Sequence, residues 1–333
     1  MKAICITPEK GPRQEETPQP QKAAPGHLLI KMTASAINPG DKAFITRPLP
    51  PGSVKSLYHI YGASGAGTVI EAGEGVPTAY LNSKVALYRS LHYSDKMVGA
   101  WSQYTHMHYL DCVILPPMEK PEDYSGSLVN CITPYAFIQQ TQAEGHKGIL
   151  STAGNSATGI AMIGMSIAYQ FPLISIARNQ QSKQQLKALG ATHILAEDDP
   201  DFTPQLKEMA ASLETTAIFD GVGGSILNKL IDPMPVNSTI YSYGYLGDDI
   251  PFTAHLRTLT AKNISIRPFA NIRTQTVMDP QHLENALASI GKIIHMPHFK
   301  TKPGKTFNLA SITEALAFED NTGAKAILDP FLP

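Results

Sequence analysis

The sequence predicts an α/β protein in two parts, a β-rich catalytic domain and a doubly wound parallel sheet. Three observations carry this. The chain has 333 residues, more than one ordinary core accommodates. From about residue 123 to 262, short apolar runs alternate with helix-like patterns, the rhythm of a parallel sheet with right-handed crossovers. The 26 prolines are spread through the first half and the last quarter, with few between 140 and 230, which marks a regular central domain inside a more irregular chain.

Taken in order, "HLLIKMTASAI" (27–37) alternates and then turns apolar, and "GAGTVIEAG" (65–73) is a β-branched run bounded by glycines. "SKVALYRS" (83–90) and "DCVILPP" (111–117) also read as strands. "DYSGSLVNCITPYAFIQQTQ" (123–142) has helical spacing. Then come a buried strand "KGILSTAG" (147–154), an apolar helix "GIAMIGMSIAYQF" (159–171) and a second strand "PLISIAR" (172–178). A polar-faced helix over 180–191 ends at a glycine cap. Strand 192–198, helix 202–213, strand 216–224, the helix beginning "SILNKLIDPM" and strand 238–247 complete the alternation. Beyond 262, "NISIRPFA" (263–270) reads as a strand and 279–294 as a helix. The tail reads as a short strand, a helix and a terminal strand that returns to the first domain. The expected domains are therefore 1–122, 123–262 and a return over 263–333.

Composition removes several function classes. Hydrophobic content of 43% and charged content of 17% fit a globular protein, and a net charge of −1 gives no footprint for nucleic acid. Cys5, Cys112 and Cys131 stand far apart, form no CxxC and read as reduced thiols. The start "MKAICITPEKGP" lacks the apolar stretch of a signal peptide, and no apolar run approaches the roughly 18 residues of a spanning helix. The expectation is a cytoplasmic protein without a membrane or nucleic-acid partner. No Ser-His-Asp or Cys-His arrangement suggests a hydrolase.

The informative stretch is "STAGNSATGIAMIG" (151–164), whose glycines at 154, 159 and 164 do not spell G-x-G-x-x-G. Its setting, an apolar strand before and an apolar helix after, is that of a phosphate-binding turn. Free N–H groups at the helix N-terminus, with the helix dipole, hold a pyrophosphate there. Ser156, Ala157 and Thr158 are the candidates. The second strand ends "SIARNQQSK", with no acid until Glu197 to bond a ribose 2′-hydroxyl. Arg178 and Lys183 suit a 2′-phosphate instead, so the expected cofactor is NADPH.

"MKAICIT", "ASAINPGD" (34–41), "GASGAGTVIEAGEGV" (62–76), "AWSQYTHM" (100–107), "VNCITPYAFI" (129–138), "LKALGATHIL", "AIFDGVGG" (217–224) and "GAKAILDP" (323–330) together resemble the medium-chain dehydrogenase/reductase superfamily. The resemblance is to its zinc-free quinone oxidoreductase and 2-enoyl thioester reductase branch. It implies a GroES-like catalytic domain around a Rossmann domain, with the active site in the cleft between them. Zinc-dependent members carry a Cys near the position of Asn38 and a GHE motif where this chain has "GAS" (62–64), so no metal site is expected. His92, His106 and His108 are close in sequence but lie in loop and edge strand.

The resemblance implies further roles. Asn38 and Thr133 face the nicotinamide ribose or the acceptor. Gly221 and Val222 line the adenosine ribose side, and Tyr243 and Gly244 approach the nicotinamide. Phe269 shields the carboxamide through its neighbours' backbone, and Lys325 reaches the cofactor phosphates. Phe44, Leu49, Tyr61 and Trp101 line the acceptor pocket. Enoyl thioester reductases carry a proton-donating tyrosine about eleven residues after the Asn of the INP motif; Leu49 stands there, with Tyr58 and Tyr61 further on. The expected activity is hydride transfer from NADPH to a quinone or similar α,β-unsaturated carbonyl, without zinc. The alternatives are a 2-enoyl thioester reductase and an NADPH-binding sensor with little turnover. A homodimer is expected, joined by sheet edges near "STIYSYGYLG".

Overall fold

A computed structural model describes residues 1–7, 11–46 and 56–333, the Thr46 side chain excepted. It divides into two compact units, residues 133–276 and the pair of segments 1–132 and 277–333.

The first unit is built on antiparallel sheet. An N-terminal hairpin pairs β1 (Lys2–Thr7) with β2 (Gly11–Glu16). The main sheet contains β3 (His27–Ala36), β4 (Ser64–Ala72), β5 (Lys84–Tyr88), β6 (Tyr104–His108) and β7 (Cys112–Ile114). Helix α1 (Pro39–Thr46) follows β3 directly, with Pro39 as its first residue, where a missing N–H costs nothing. The alternation in β3 holds up: Leu28, Ile30 and Met32 point into one core with Val69, Val85 and Leu87.

Helix α2 (Ser127–Ala143) carries the chain from one unit to the other. The second unit is a six-stranded parallel sheet of β8 (Gly148–Ser151), β9 (Leu173–Ala177), β10 (His193–Ala196), β11 (Thr215–Asp220), β12 (Thr239–Ser242) and β13 (Ser265–Pro268). Its order is β10-β9-β8-β11-β12-β13. The crossover helices are α3 (Ala157–Tyr169), α4 (Gln180–Ala188), α5 (Phe202–Ser212), α6 (Ile226–Leu230) and α7 (Leu256–Lys262). Leu150, Ile174, Ile176, Leu195, Ile218 and Ile240 from five strands share a core with Phe202, Leu206 and Leu230.

The short helix α8 (Gln275–Met278) leads back to the first unit, where α9 (Pro280–Ile293), β14 (Pro303–Phe307), α10 (Ile312–Ala317) and β15 (Lys325–Leu328) lie. Asp279 caps α9 by accepting the Gln281 and His282 N–H groups at 2.9 and 3.0 Å. β15 pairs antiparallel with β3, and β14 pairs with β15.

The units divide at 133 and 276, against 123 and 262 in the sequence reading. "NISIRPFA" forms β13, which is held in parallel register by β12 and so belongs to the nucleotide-type sheet. The N-terminal turns of α2 belong to the first unit: Ser127 Oγ donates to the Phe299 carbonyl at 2.5 Å. No helix among the described residues is long and apolar enough to cross a membrane.

Candidate functional site

In the second unit, the carboxyl ends of the parallel strands gather most of the residues expected to hold a nucleotide. β8 runs through Thr152 and Gly154 into the turn before α3. A side chain at 154 would meet the Ile176 carbonyl at 2.7 Å, so only glycine lets the turn lie this close to β9. Ser156 is the N-cap of α3. Its hydroxyl accepts the Gly159 N–H at 3.0 Å and donates to the Ala153 carbonyl at 2.7 Å. Ala157 and Thr158 form the first turn of this 13-residue helix, where N–H groups and dipole favour an anion.

β11 ends in Asp220, which sequence reading passed over although "AIFDGVGG" contains it. Its carboxylate is fully buried and accepts from Thr152 Oγ1 at 2.8 Å, Val222 N at 3.1 Å and Gly223 N at 3.1 Å. Thr152 Oγ1 in turn accepts the Gly221 N–H at 3.0 Å. This clasp ties the ends of β8 and β11 and sets the course of the Gly221–Val222 loop. Gly244 packs on that loop, where an added Cβ would lie 2.8 Å from the Gly221 carbonyl.

Tyr243 stacks on Phe219 with ring centroids 4.0 Å apart, its hydroxyl over Gly221. The hydroxyl is buried, lies beside Ser156 and has no well-formed hydrogen bond; burial pushes its pKa up. Phe269 packs edge-on against Phe137 at 5.2 Å and Phe219 at 5.6 Å, so its ring belongs to an aromatic core and its backbone N–H bonds Ser242. Thr133 lies in the second turn of α2, too far in to cap it, and its hydroxyl accepts from Asn271 Nδ2 at 2.8 Å.

β9 ends at Ala177. The next residue, Arg178, is exposed and makes no ion pair among the described residues. Asn179 is the N-cap of α4, accepting the Ser182 N–H at 2.9 Å. Lys183 is half-buried in the first turn of the same helix. No carboxylate stands between Ala177 and Lys183.

In the first unit, Asn38 is the hub of a second cluster. Asn38 Nδ2 donates to Ser64 Oγ at 2.7 Å and to Asp41 Oδ2 at 3.2 Å, and the Asn38 N–H reaches the same carboxylate oxygen at 2.9 Å. Asp41 also takes the Ala63 N–H at 3.1 Å, so "GAS" and "INPGD" are tied together. Burial raises the Asp41 pKa against these bonds and the nearby Arg89. Asn38 Oδ1 accepts a short hydrogen bond from Lys325 Nζ. Lys325 therefore joins Asn38 in this unit. Burial pulls the Lys325 pKa down to about 8.

Two residues expected to line the acceptor pocket, Trp101 and Tyr61, lie in the core of the first unit. Trp101 is fully buried among Ile4, Phe307, Leu309 and Leu328, and Tyr61 packs edge-on against it at 5.1 Å. The Tyr61 hydroxyl is committed to the Asp41 carbonyl at 3.2 Å, and burial pushes its pKa up to about 12. Phe44 is half-exposed on α1 and Tyr58 is exposed. Leu49 lies outside the described residues. Among the described residues no group of three or more His, Cys, Asp or Glu is arranged to hold a metal ion.

Residues 157–288 match a family described as zinc-binding dehydrogenase. The chain is 24% identical over 335 residues to the mitochondrial enoyl-[acyl-carrier-protein] reductase of Schizosaccharomyces pombe, with 93% of this chain and 84% of that protein covered. It is 23% identical over 239 residues to the synaptic vesicle membrane protein VAT-1 homolog of Homo sapiens, covering 69% of this chain and 56% of that one. Two solved structures share the fold over nearly every residue. Quinone oxidoreductase from Pseudomonas syringae pv. Tomato superposes with TM-score 0.74 at 18% identity, covering 99% of both chains. Quinone oxidoreductase from Escherichia coli, solved in complex with NADPH, gives 0.71 at 19% identity, covering 99% of this chain and 100% of that one. The matched segment, these relatives and the shared fold agree with the resemblance to the medium-chain dehydrogenase/reductase superfamily.

Proposed function

We propose that the chain is a zinc-independent oxidoreductase that uses NADPH to reduce a quinone or a similar α,β-unsaturated carbonyl. One observation carries the cofactor choice: β9 is followed by an exposed, unpaired Arg178 where a diphosphonucleotide site places an acid for the ribose 2′-hydroxyl. A guanidinium there binds the 2′-phosphate in a forked pair of hydrogen bonds, and an acid would repel it.

The residues present fit the cofactor. The turn at Ser156, Ala157 and Thr158 offers a capped helix N-terminus for the pyrophosphate, and Lys183 adds charge one turn into α4. Gly221, Val222 and Gly244, in the close-packed loops after β11 and β12, are assigned to the ribose side. The buried Tyr243 hydroxyl lies beside Ser156, next to this turn. When bound, the reduced nicotinamide supplies a hydride. The protein contributes binding, orientation and water exclusion. Asn38 and Thr133 are assigned to positioning the reactants.

A second reading, 2-enoyl thioester reductase, is favoured by the likeness to the S. pombe enzyme across 93% of this chain. NADPH oxidation measured with 9,10-phenanthrenequinone and with a medium-chain 2-enoyl-CoA separates the two. Turnover of the quinone alone supports the first reading, and preferred turnover of the thioester supports the second. NADPH binding with no turnover overturns both in favour of a sensor. The cofactor assignment has its own test. Arg178→Ala should lower the ratio of NADPH to NADH affinity at least about tenfold, on the order of 1.4 kcal/mol. An unchanged ratio removes Arg178 from the 2′-phosphate site.

A further inference from the structure

Reduction of a carbon–carbon double bond conjugated to a carbonyl needs a proton as well as a hydride. The tyrosine that the sequence pattern would assign to this task is a leucine, and Tyr61 is committed elsewhere. The Asn38 cluster of the first unit holds a different donor.

Lys325 projects from β15 onto Asn38, and its ammonium is crowded by protein although the residue as a whole is half-exposed. Among the described residues it has one acceptor, Asn38 Oδ1, and no carboxylate within ion-pair distance. An ammonium carries three N–H bonds, so two lack a protein acceptor there. Gly126 packs close beside it: a Cβ there would lie 2.8 Å from Ala36 Cβ, 3.3 Å from Nζ and 3.4 Å from Asn38 Oδ1, so glycine lets the start of α2 approach the pair. Asn38 cannot turn its amide away, because its NH2 group is held by Ser64 and Asp41. The cluster thus aims a fixed carbonyl at the lysine and presents the remaining N–H bonds to whatever oxygen or carbanion lies beside them.

We propose that Lys325 is the proton donor for reduction of a conjugated enone or enoyl substrate, held in place by Asn38. This rests on the reductase reading above. Hydride arriving at the β-carbon moves the π electrons onto the carbonyl oxygen, forming an enolate. The Lys325 ammonium stabilises that oxygen and gives one proton to the enolate, whose α-carbon becomes saturated. The neutral amine then regains a proton from water. A quinone, reduced to a hydroquinone anion that water can protonate, depends on the lysine less.

The groups facing Lys325 set its acidity. Asp41 from α1 raises its pKa, and so does the Cys131 thiol from α2; burial outweighs both and brings it down to about 8. Ser64 on β4 and Ala36 on β3 carry no charge. An ammonium with that value is a better acid than an exposed lysine and remains protonated at neutral pH.

Two readouts test this. The first uses no cofactor. 4-Nitrophenol, an enolate mimic, is titrated with wild type, Lys325→Met and Lys325→Arg, and bound phenolate is followed by absorbance. Wild type and Lys325→Arg should bind it, and Lys325→Met about tenfold or more weakly. The second follows NADPH oxidation against pH with trans-3-penten-2-one and 9,10-phenanthrenequinone. Wild-type enone turnover should fall as pH rises through about 8. Lys325→Met should lose about a hundredfold or more with the enone and far less with the quinone, while binding NADPH normally. Lys325→Arg, which keeps the charge if Lys325→Met fails to fold, should lack the alkaline limb. Equal phenolate binding, or an unchanged enone profile in the variants, overturns the assignment and leaves the reductase reading intact. So does a wild type that reduces the quinone and not the enone. A wild type that reduces neither overturns the reductase reading, and this proposal with it.

Discussion

Asp220 ends β11 with its carboxylate covered by protein and held by three donors, two of them backbone N–H groups of the loop that follows. A buried carboxylate stays charged only if such donors repay its desolvation. Asp220→Asn keeps one acceptor oxygen and turns an NH2 group toward donors, leaving at least one N–H unpaired. The expected cost is about 2–3 kcal/mol, read as a lower midpoint in urea unfolding with unchanged slope. A stability within 0.5 kcal/mol of wild type, roughly the spread of surface substitutions, would show that the clasp with Thr152 contributes little. At this scale the sequence was only half legible. The turn at 151–164 and Arg178 announced themselves because an apolar strand fixed their register. Asp220 stood in a quoted motif, but nothing in "AIFDGVGG" says whether the acid faces solvent or its own loop. Trp101 and Tyr61 were legible as large aromatics, and only packing distinguishes a core ring from a pocket wall.

At the scale of elements, the β3–β6 pairing makes something that spacing alone does not reveal. The register sets His27 opposite His108 and Leu29 opposite His106. His92 stacks on His108 with ring centroids 3.7 Å apart, and His27 stacks on His106 at 4.7 Å. Burial pushes His92, His106 and His108 below the ordinary imidazole range, His108 to about 4. The unfolded chain therefore binds protons that the folded chain refuses. This stabilisation is complete above about 6.5 and is lost as pH falls toward about 4. Glu71 and Lys96 face His106 and act in opposite directions, and Lys96 is outweighed by its own carbonyl bond to the ring. Asp111 lies beneath the His92 and Leu91 N–H groups, and burial raises it to about 8. Its pH dependence runs the other way, so the test compares variants rather than reading wild type alone. His108→Asn should flatten the fall in melting temperature between pH 7 and pH 5. The difference should be about 3 °C, near 1 kcal/mol, less than the full shift because the ring is only half-buried. Parallel slopes would show that the stack accepts protons without cost. Strands and helices of the central region were readable because each buries a continuous apolar run. The β1–β2 hairpin, β6, α1 and α7 were not singled out, because their residues mix polar and apolar types with no clear period.

Among the described residues the parallel sheet ends in two outer strands, β10 and β13, and the β13 edge carries the apolar side chains. A dimer was expected to join by sheet edges near "STIYSYGYLG"; that segment contains β12, which lies between β11 and the outer strand β13. Its pairing with β12 uses the Ser265 N–H, so by alternation the Ile266 N–H points away from the sheet. Ile266 is exposed, as are Tyr245, Leu246, Ile250 and Leu256 in the preceding connection, with Tyr245 at 87% and Leu256 at 76%. So many exposed apolar side chains within one short stretch, beside an unpaired strand, exceed what a monomer surface commonly carries. A two-fold axis at β13 would pair the strand with its own copy, antiparallel, and cover the apolar residues on both sides. Arg267 and Pro268 limit such pairing to the first half of the strand, since Pro268 has no N–H to give. Light scattering at micromolar concentration should therefore report twice the chain mass. The double variant Leu256→Asp, Ile266→Lys should report the chain mass alone, with the far-ultraviolet spectrum and NADPH affinity kept. Both substitutions sit on exposed side chains outside the core, so loss of folding is not the expected result. A wild type that runs as a monomer, or a variant that remains a dimer, would place the apolar patch in some contact other than this edge.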